Sequence, residues 1–334
     1  MKKILLITTG GTIASINTKE GLVPGLDGEQ LLKFIPNIKD MCTVDIKSLF
    51  SIDSTNIYYK HWLKIAEEIR INYENYDGFI ICHGTDTLSY TASALSYLIQ
   101  NSKKPIVLTG AQKPINLDIS DAKTNLYDSF TYACDSSASG VVIIFNGNVI
   151  LGTRARKMRT KSFDAFSSID YPKLAIVKEG QVISYINNLS KETKFYDVLN
   201  PSVGLMKLIP SANEEILEYM LQKFDALVIE SFGVGGLPNY EGNKYNEILN
   251  KYTAIGKVVV MTTQVPNEGS DIAIYNVGHY LKENPNILEA YDMTTEAVVT
   301  KLMWILGITK DIDEIKELFY LTISNDILFK RDFK

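Results

Sequence analysis

The chain has 334 residues, 46% of them apolar and 22% charged, with 34 basic against 39 acidic side chains and a net charge of −5. That length fits two domains, the composition is that of an ordinary globular protein, and no basic excess exists to neutralise a phosphate backbone, so nucleic acid is not an expected partner. No run approaches the roughly 18 consecutive apolar residues of a membrane-spanning helix, so no membrane role is expected either.

The pattern alternates short apolar runs with longer helical periods. The start, Met1-Lys2-Lys3 followed by Ile4 to Ile7, has the charge of a secretory leader. Its four strongly apolar residues fall short of the seven or more that such a leader needs. Ile4 to Thr8 therefore reads as a buried strand. Trp62, Ile65, Ala66 and Ile69 recur at i, i+3, i+4 and i+7, which predicts an amphipathic helix. Gly78 to Cys82 is a second buried strand, Thr87 to Gln100 a helix, Pro105 to Thr109 a strand, Asp121 to Ala133 a helix and Gly140 to Phe145 a strand. Such alternation indicates a mainly parallel sheet flanked by helices.

Residues 186–202, rich in Asn, Ser, Lys and Glu with Pro201 near the end, read as a linker between a larger domain, 1–185, and a smaller one, 203–334. The second domain is expected to be α/β as well. Its strands are Val203 to Leu208, Ala226 to Glu230 and Lys257 to Thr262, and its helices Glu214 to Lys223 and Thr295 to Leu306. Three widely spaced cysteines, Cys42, Cys82 and Cys134, argue against a disulfide framework and fit a reducing cytoplasm.

In an open parallel sheet, ligands bind beyond the carboxyl ends of the strands, and three polar clusters fall there. The first, Thr8-Thr9-Gly10-Gly11-Thr12, presents a hydroxyl at a tight turn. It is equally compatible with a plain strand–loop connection, and it matches neither common nucleotide loop. The second, His83-Gly84-Thr85-Asp86-Thr87, adds a hydroxyl and a carboxylate, although Thr85 or Asp86 could simply cap the next helix. His83 reads as structural. With three histidines in all (His61, His83, His279) and none at ligand spacing, no metal is expected. The third cluster, Gly152 to Arg159, is either a solvated basic loop or the source of one lysine that enters the site. Spacing alone does not choose.

Together, Thr9-Gly10-Gly11-Thr12-Ile13-Ala14, Asp77-Gly78-Phe79 and His83-Gly84-Thr85-Asp86-Thr87 resemble the bacterial-type asparaginases. The two motifs stand in family order, with Thr12 and Thr85 73 positions apart. The resemblance covers nearly the whole chain and is closest to the cytoplasmic type I branch, as in Tyr90 to Tyr97 and Thr300 to Gly307. It implies hydrolysis of L-asparagine with Thr12 as the nucleophile, and Thr85, Asp86 and Lys157 as a second catalytic group. It also implies that Ser54 and Thr55 hold the α-carboxylate, Asp86 the α-ammonium, and the Ala111 carbonyl the amide nitrogen. No cofactor is implied. A homodimer or homotetramer is, with Tyr275 contributed by a neighbouring copy of the chain. One position departs from the pattern. Leu22 stands where many members carry a tyrosine that hydrogen-bonds the nucleophile.

Two other readings compete. A related amidotransferase component acts on transfer-RNA-linked glutamate, but it carries an additional N-terminal domain for which the first motif, starting at Thr8, leaves no room. An amino-acid-binding protein without catalysis would keep Ser54 and Asp86 and need neither Thr12 nor Lys157.

Overall fold

A computed structural model describes residues 1–18, 21–186, 192–238, 244–274, 281 and 284–329, with backbone alone for 16–18 and 21–24. The chain divides into two compact units, Met1–Asp197 and Val198–Lys334.

The first unit is built on an eight-stranded sheet. Its strands are β1 (Lys2–Gly10), β4 (Cys42–Ile52), β5 (Gly78–Cys82), β7 (Pro105–Thr109), β8 (Gly140–Phe145), β9 (Asn148–Leu151), β12 (Ala175–Lys178) and β13 (Gln181–Ser184), ordered β13-β12-β9-β8-β7-β5-β1-β4. Small two-stranded pairs account for β2 (Ser15–Thr18) with β3 (Gly21–Pro24), β6 (Ile99–Gln100) with β14 (Lys194–Phe195), and β10 (Ala155–Lys157) with β11 (Phe166–Ser168). The expected parallel pairing runs from β4 through β1, β5 and β7 to β8, whereas β9, β12 and β13 are antiparallel additions. Ile4 to Ile7 and every residue of β5 are buried, because a central parallel strand is covered on both faces.

The helices are α1 (Gly28–Lys33), α2 (Tyr59–Asn72), α3 (Leu88–Leu98) and α4 (Ala122–Cys134). In α2, Trp62, Ile65, Ala66 and Ile69 form the buried stripe that their spacing predicts. All of α3 except Tyr90 is buried, which is why it carries no clean amphipathic period. It stops two residues short of the expected end, since Ile99 and Gln100 pair with Phe195 and Lys194. Those partners lie within the stretch read as a linker, and the first unit accordingly extends to Asp197.

The second unit holds a four-stranded parallel sheet, β15 (Val203–Lys207), β16 (Ala226–Ser231), β17 (Val258–Thr263) and β18 (Ile287–Glu289), in that order. Its helices are α5 (Glu214–Lys223), α6 (Lys244–Thr253), α7 (Thr295–Ile308) and α8 (Ile312–Tyr320). Three of these elements, α6, β18 and α8, have no counterpart in the sequence reading. No helix among the described residues is long and apolar enough to cross a membrane.

Within this unit, Lys301 and Asp326 form an ion pair of 2.7 Å with no solvent exposure on either side chain. Lys301 Nζ also donates to the Leu321 carbonyl at 2.8 Å, and Asp326 accepts from the Ile323 N–H at 2.9 Å. Removing one partner of such a pair strands a charge in the interior. Asp326→Ala is expected to lower stability by about 3–5 kcal/mol, read as a shift of the urea unfolding midpoint. A change within the error of the midpoint would show that the pair is dispensable.

Candidate active site

The carboxyl ends of β1 and β5, and the turns after β4 and β7, bring four polar segments together. Gly11 has φ of 85°, a conformation open to glycine. A Cβ there would overlap the backbone nitrogen and Cα of Gly84. A Cβ on Gly84 would in turn lie 2.6 Å from Ser54 Oγ. The two glycines thus let the chain beside Thr12 and the chain beside Thr85 touch backbone to backbone, with the Ser54 side chain packed against Gly84. Thr12 opens a 3₁₀ turn, Thr12–Ala14, and is half-buried, while Ile13 and Ala14 are buried beneath it.

Thr85 and Asp86 do not cap α3. The N-cap is Thr87, without a side-chain capping bond, and its hydroxyl instead donates to the Ser54 carbonyl at 2.8 Å. That frees Thr85 and Asp86 for Lys157, whose ammonium donates to Thr85 Oγ1 at 2.8 Å and to Asp86 Oδ1 at 2.6 Å. The lysine side chain is 17% exposed and the aspartate 59%. Of the two accounts of the basic loop, this geometry matches the one in which a single lysine enters the site.

Sequence reading missed Gln112. The Thr85 hydroxyl donates to Gln112 Oε1 at 3.2 Å, and Gln112 Nε2 donates to the carbonyls of Ser162 at 3.2 Å and Arg159 at 3.4 Å. Gln112 therefore ties Thr85 to the loop that carries Lys157. Its own turn is held by two buried residues of α4 and its N-cap. Asp121 accepts from the N–H groups of Gln112 and Lys113, and Asn125 donates to the Gly110 carbonyl at 3.0 Å. Burial pushes the Asp121 carboxyl up, partly offset by those backbone donors. Ala111 sits inside this turn with no exposure. No spacing rule marks Gln112, since a residue three past a strand end is usually loop.

The remaining expected residues divide. Ser54 is buried against Gly84. Thr55 is exposed and its hydroxyl donates to Asp53 Oδ1 at 2.7 Å, so it serves the turn. The Thr55 backbone N–H and that hydroxyl hold the Asp53 carboxyl below its ordinary value. Leu22 is paired opposite Asn17 in the β2–β3 hairpin. Tyr275 lies outside the described residues.

His83 is structural. It is fully buried, and since its Nδ1 meets the Gly84 carbonyl at 2.7 Å, that nitrogen carries the proton. Nε2 then accepts from the Thr91 hydroxyl at 2.9 Å, which itself accepts from Trp62 Nε1 at 2.9 Å. The chain of bonds fixes the Gly84 peptide from below.

A two-unit α/β protein with hydroxyls, a lysine and a carboxylate gathered at the carboxyl edge of its larger sheet is thus in hand. Its family is equally plain. The family described as Asparaginase, N-terminal matches residues 3–190 and that described as Glutaminase/Asparaginase C-terminal domain matches residues 202–319, so the chain belongs to the asparaginase family. It is 38% identical over 330 residues to the L-asparaginase of Thermococcus kodakarensis, covering 97% of this chain and 99% of that one. The structure of the thermostable L-asparaginase from the same organism superposes with a TM-score of 0.92 at 36% identity, over 98% of this chain and 100% of that one. L-asparaginase I from Vibrio cholerae superposes at 0.84 with 27% identity, over 98% and 99%. A component of the glutamyl-tRNA(Gln) amidotransferase of Pyrococcus abyssi is 33% identical over 344 residues, 98% of this chain and 77% of that one.

Burial holds the His83 imidazole down at about 4, against 6.5 when unfolded. Because the folded value is the lower one, this group contributes stability that is complete above pH 6.5. It is lost as pH falls through 4, to a limit of about 3 kcal/mol. His83→Asn keeps a donor for the Gly84 carbonyl and removes the titration. Its thermal midpoint is expected to fall less than that of the parent between pH 7 and pH 4. Parallel curves for the two proteins would show that His83 does not govern the acid limb.

Proposed function

We propose that the chain hydrolyses the side-chain amide of L-asparagine to L-aspartate and ammonia, through an ester on Thr12. The observation that carries this reading is the Lys157–Thr85–Asp86 cluster, held by the Gly11–Gly84 contact next to the Thr12 turn. Family membership and the relatives named L-asparaginase support it.

In this mechanism Asp86 takes the substrate's α-ammonium on the carboxylate oxygen not used by Lys157, and the buried Ser54 turn receives the α-carboxylate. Charge-assisted contacts at both ends orient a small zwitterion. The Thr12 oxygen attacks the amide carbon as its proton passes to Thr85, whose own proton goes to Lys157 acting as the neutral amine, and Lys157 then delivers a proton to the leaving nitrogen. The carbon–nitrogen bond breaks, ammonia departs beside the Ala111 carbonyl, and water cleaves the ester. Backbone N–H groups at the two turns stabilise the oxyanion, each worth roughly 10²–10³ in rate. The protein works as a cytoplasmic homodimer or dimer of dimers, closed two-fold symmetry being the usual soluble arrangement. Tyr275 from a neighbouring copy of the chain is a further contributor, in place of the tyrosine absent at residue 22.

The amidotransferase relatives favour glutamine or glutamate amide as a second reading. Steady-state ammonia release separates the two. Asparagine is expected to exceed glutamine more than tenfold in kcat/KM, as an added methylene in a clamped site costs about 1–3 kcal/mol. Equal efficiencies would support the second reading, and no release from either would remove both.

A variant series tests the roles. Thr12→Ala is expected to lower kcat at least about a thousandfold, and Lys157→Met about 10²–10⁴-fold through loss of proton transfer. Gln112→Ala removes all three side-chain bonds of Gln112, and loss of the one to Thr85, about 1 kcal/mol, is expected to reduce kcat about fivefold to tenfold with KM little changed. Full activity in Thr12→Ala would eliminate it as nucleophile, and a harmless Lys157→Met would eliminate the proton route.

A further inference from the structure

Two of the three cysteines, 92 positions apart in sequence, meet in the first unit at the end of the sheet opposite the active site. Cys42 opens β4, where the strand register sets it beside Lys2 of β1. Cys134 closes α4. Cys42 belongs to the apolar cluster of this unit and Cys134 packs against it, and each thiol is the neighbour that perturbs the other most. The Lys2 ammonium joins the two elements, donating to the Asp135 carbonyl at 2.8 Å and the Ala133 carbonyl at 3.5 Å, on either side of Cys134.

The pair is unequal. Cys42 is buried and Cys134 is half-buried, so a small molecule reaches only the second. Cys134 also sits where a thiolate is supported. The Cys42 hydrogen bond and the Lys2 charge pull its thiol below the ordinary value, against the opposing effects of burial and the Asp77 carboxylate. The Cys42 thiol is pushed up by the same hydrogen bond and by burial. Its one proton has a second direction open, towards the Ile38 carbonyl at 4.0 Å. A partly exposed, charge-supported thiol beside a buried one is the arrangement of an attacking and a resolving cysteine. Cys82, fully buried in β5, has its thiol pushed up to about 12 by burial alone and takes no part.

We propose that Cys42 and Cys134 form a thiol–disulfide site within one chain that takes a hydroperoxide as its oxidant. The Cys134 thiolate attacks the hydroperoxide, a sulfur–oxygen bond forms, the oxygen–oxygen bond breaks, and the leaving alkoxide or hydroxide takes a proton from solvent. Cys134 is then a sulfenic acid. Cys42 gives its proton to solvent and its sulfur attacks that of Cys134. The sulfur–sulfur bond forms and hydroxide leaves, to be protonated to water. In sum two thiols lose two electrons and two protons, and the hydroperoxide is reduced to water and an alcohol, or to two waters from hydrogen peroxide. The bridge would tie the start of an edge strand to the end of a helix.

The test treats the full chain with hydrogen peroxide, blocks remaining thiols, and maps peptides by mass spectrometry. A single bridged peptide pair containing Cys42 and Cys134 is expected, two hydrogens lighter than the reduced pair, reversed by dithiothreitol, with Cys82 still a blocked thiol. Cys42→Ala then removes the resolving group. Dimedone is expected to label Cys134 in it, and to label nothing in Cys134→Ser. Absence of the bridge in the parent protein, a bridge through Cys82 or between two chains, or no dimedone adduct on Cys134 in Cys42→Ala would each overturn the proposal. The parent measurement needs no variant, so a folding defect in either substitution does not affect it.

Discussion

Everything at the carboxyl edge of the larger sheet depends on backbone touching backbone at Gly11 and Gly84, with the Ser54 side chain against Gly84. Strands in a sheet lie about 4.8 Å apart, and loops leaving adjacent strand ends normally diverge under the bulk of their side chains. Here two glycines remove that bulk where β1 and β5 end. The Thr12 and Thr85 turns then approach more closely than any pair of side-chain-bearing residues could. A methyl group on either glycine would meet main chain or the buried Ser54, neither of which can move without displacing a strand. The site is therefore set by packing first, and by polar contacts second.

Lys157 arrives by a different route. Gly152 packs against Ala92 and Ser96 of α3 and accepts from Ser93 Oγ at 3.1 Å. Lys157 reaches Thr85 and Asp86, just before the N-terminal end of that helix. The chain can run up beside the helix in this way only because β9 returned antiparallel from β8. A further parallel crossover would have delivered the segment elsewhere.

The sequence shows some of this and hides the rest, for definable reasons. The strands at Ile4, Gly78, Pro105 and Gly140 were legible because burial on both faces makes them continuous apolar runs, and α2 because one face alone is buried. β4 was not, since it is an edge strand whose residues are mostly half-exposed, giving neither a continuous run nor a clean alternation. The antiparallel additions were hidden because β9 follows β8 after two residues and looks like its continuation. Within the site, Thr85 and Asp86 were marked by their place beyond a strand's carboxyl end and Lys157 by resemblance, and the fold brings the three together. The Thr55 hydroxyl bonds Asp53 within its own turn, and Gln112 had no local signature. The two cysteines were read as unrelated because only the packing of α4 on the sheet makes them neighbours.

The polar groups of the site fall into two layers with different physical demands. His83, Ser54, Asp121 and Asn125 are buried, and all but Ser54 spend their side-chain bonds on peptide groups: Gly84, Gly110, Gln112 and Lys113. Buried polar atoms must be paired or they cost free energy, so His83, Asp121 and Asn125 have little capacity left for a ligand, and their effect is to hold turns that no sheet ladder holds. Thr12, Asp86 and Lys157 reach towards solvent and keep hydrogen-bonding capacity for a substrate. A histidine carried in the inner layer must stay neutral to accept from Thr91, and that is incompatible with shuttling protons at the surface. The same burial that makes His83 a good brace excludes it from the chemistry, and leaves proton transfer to groups of the outer layer.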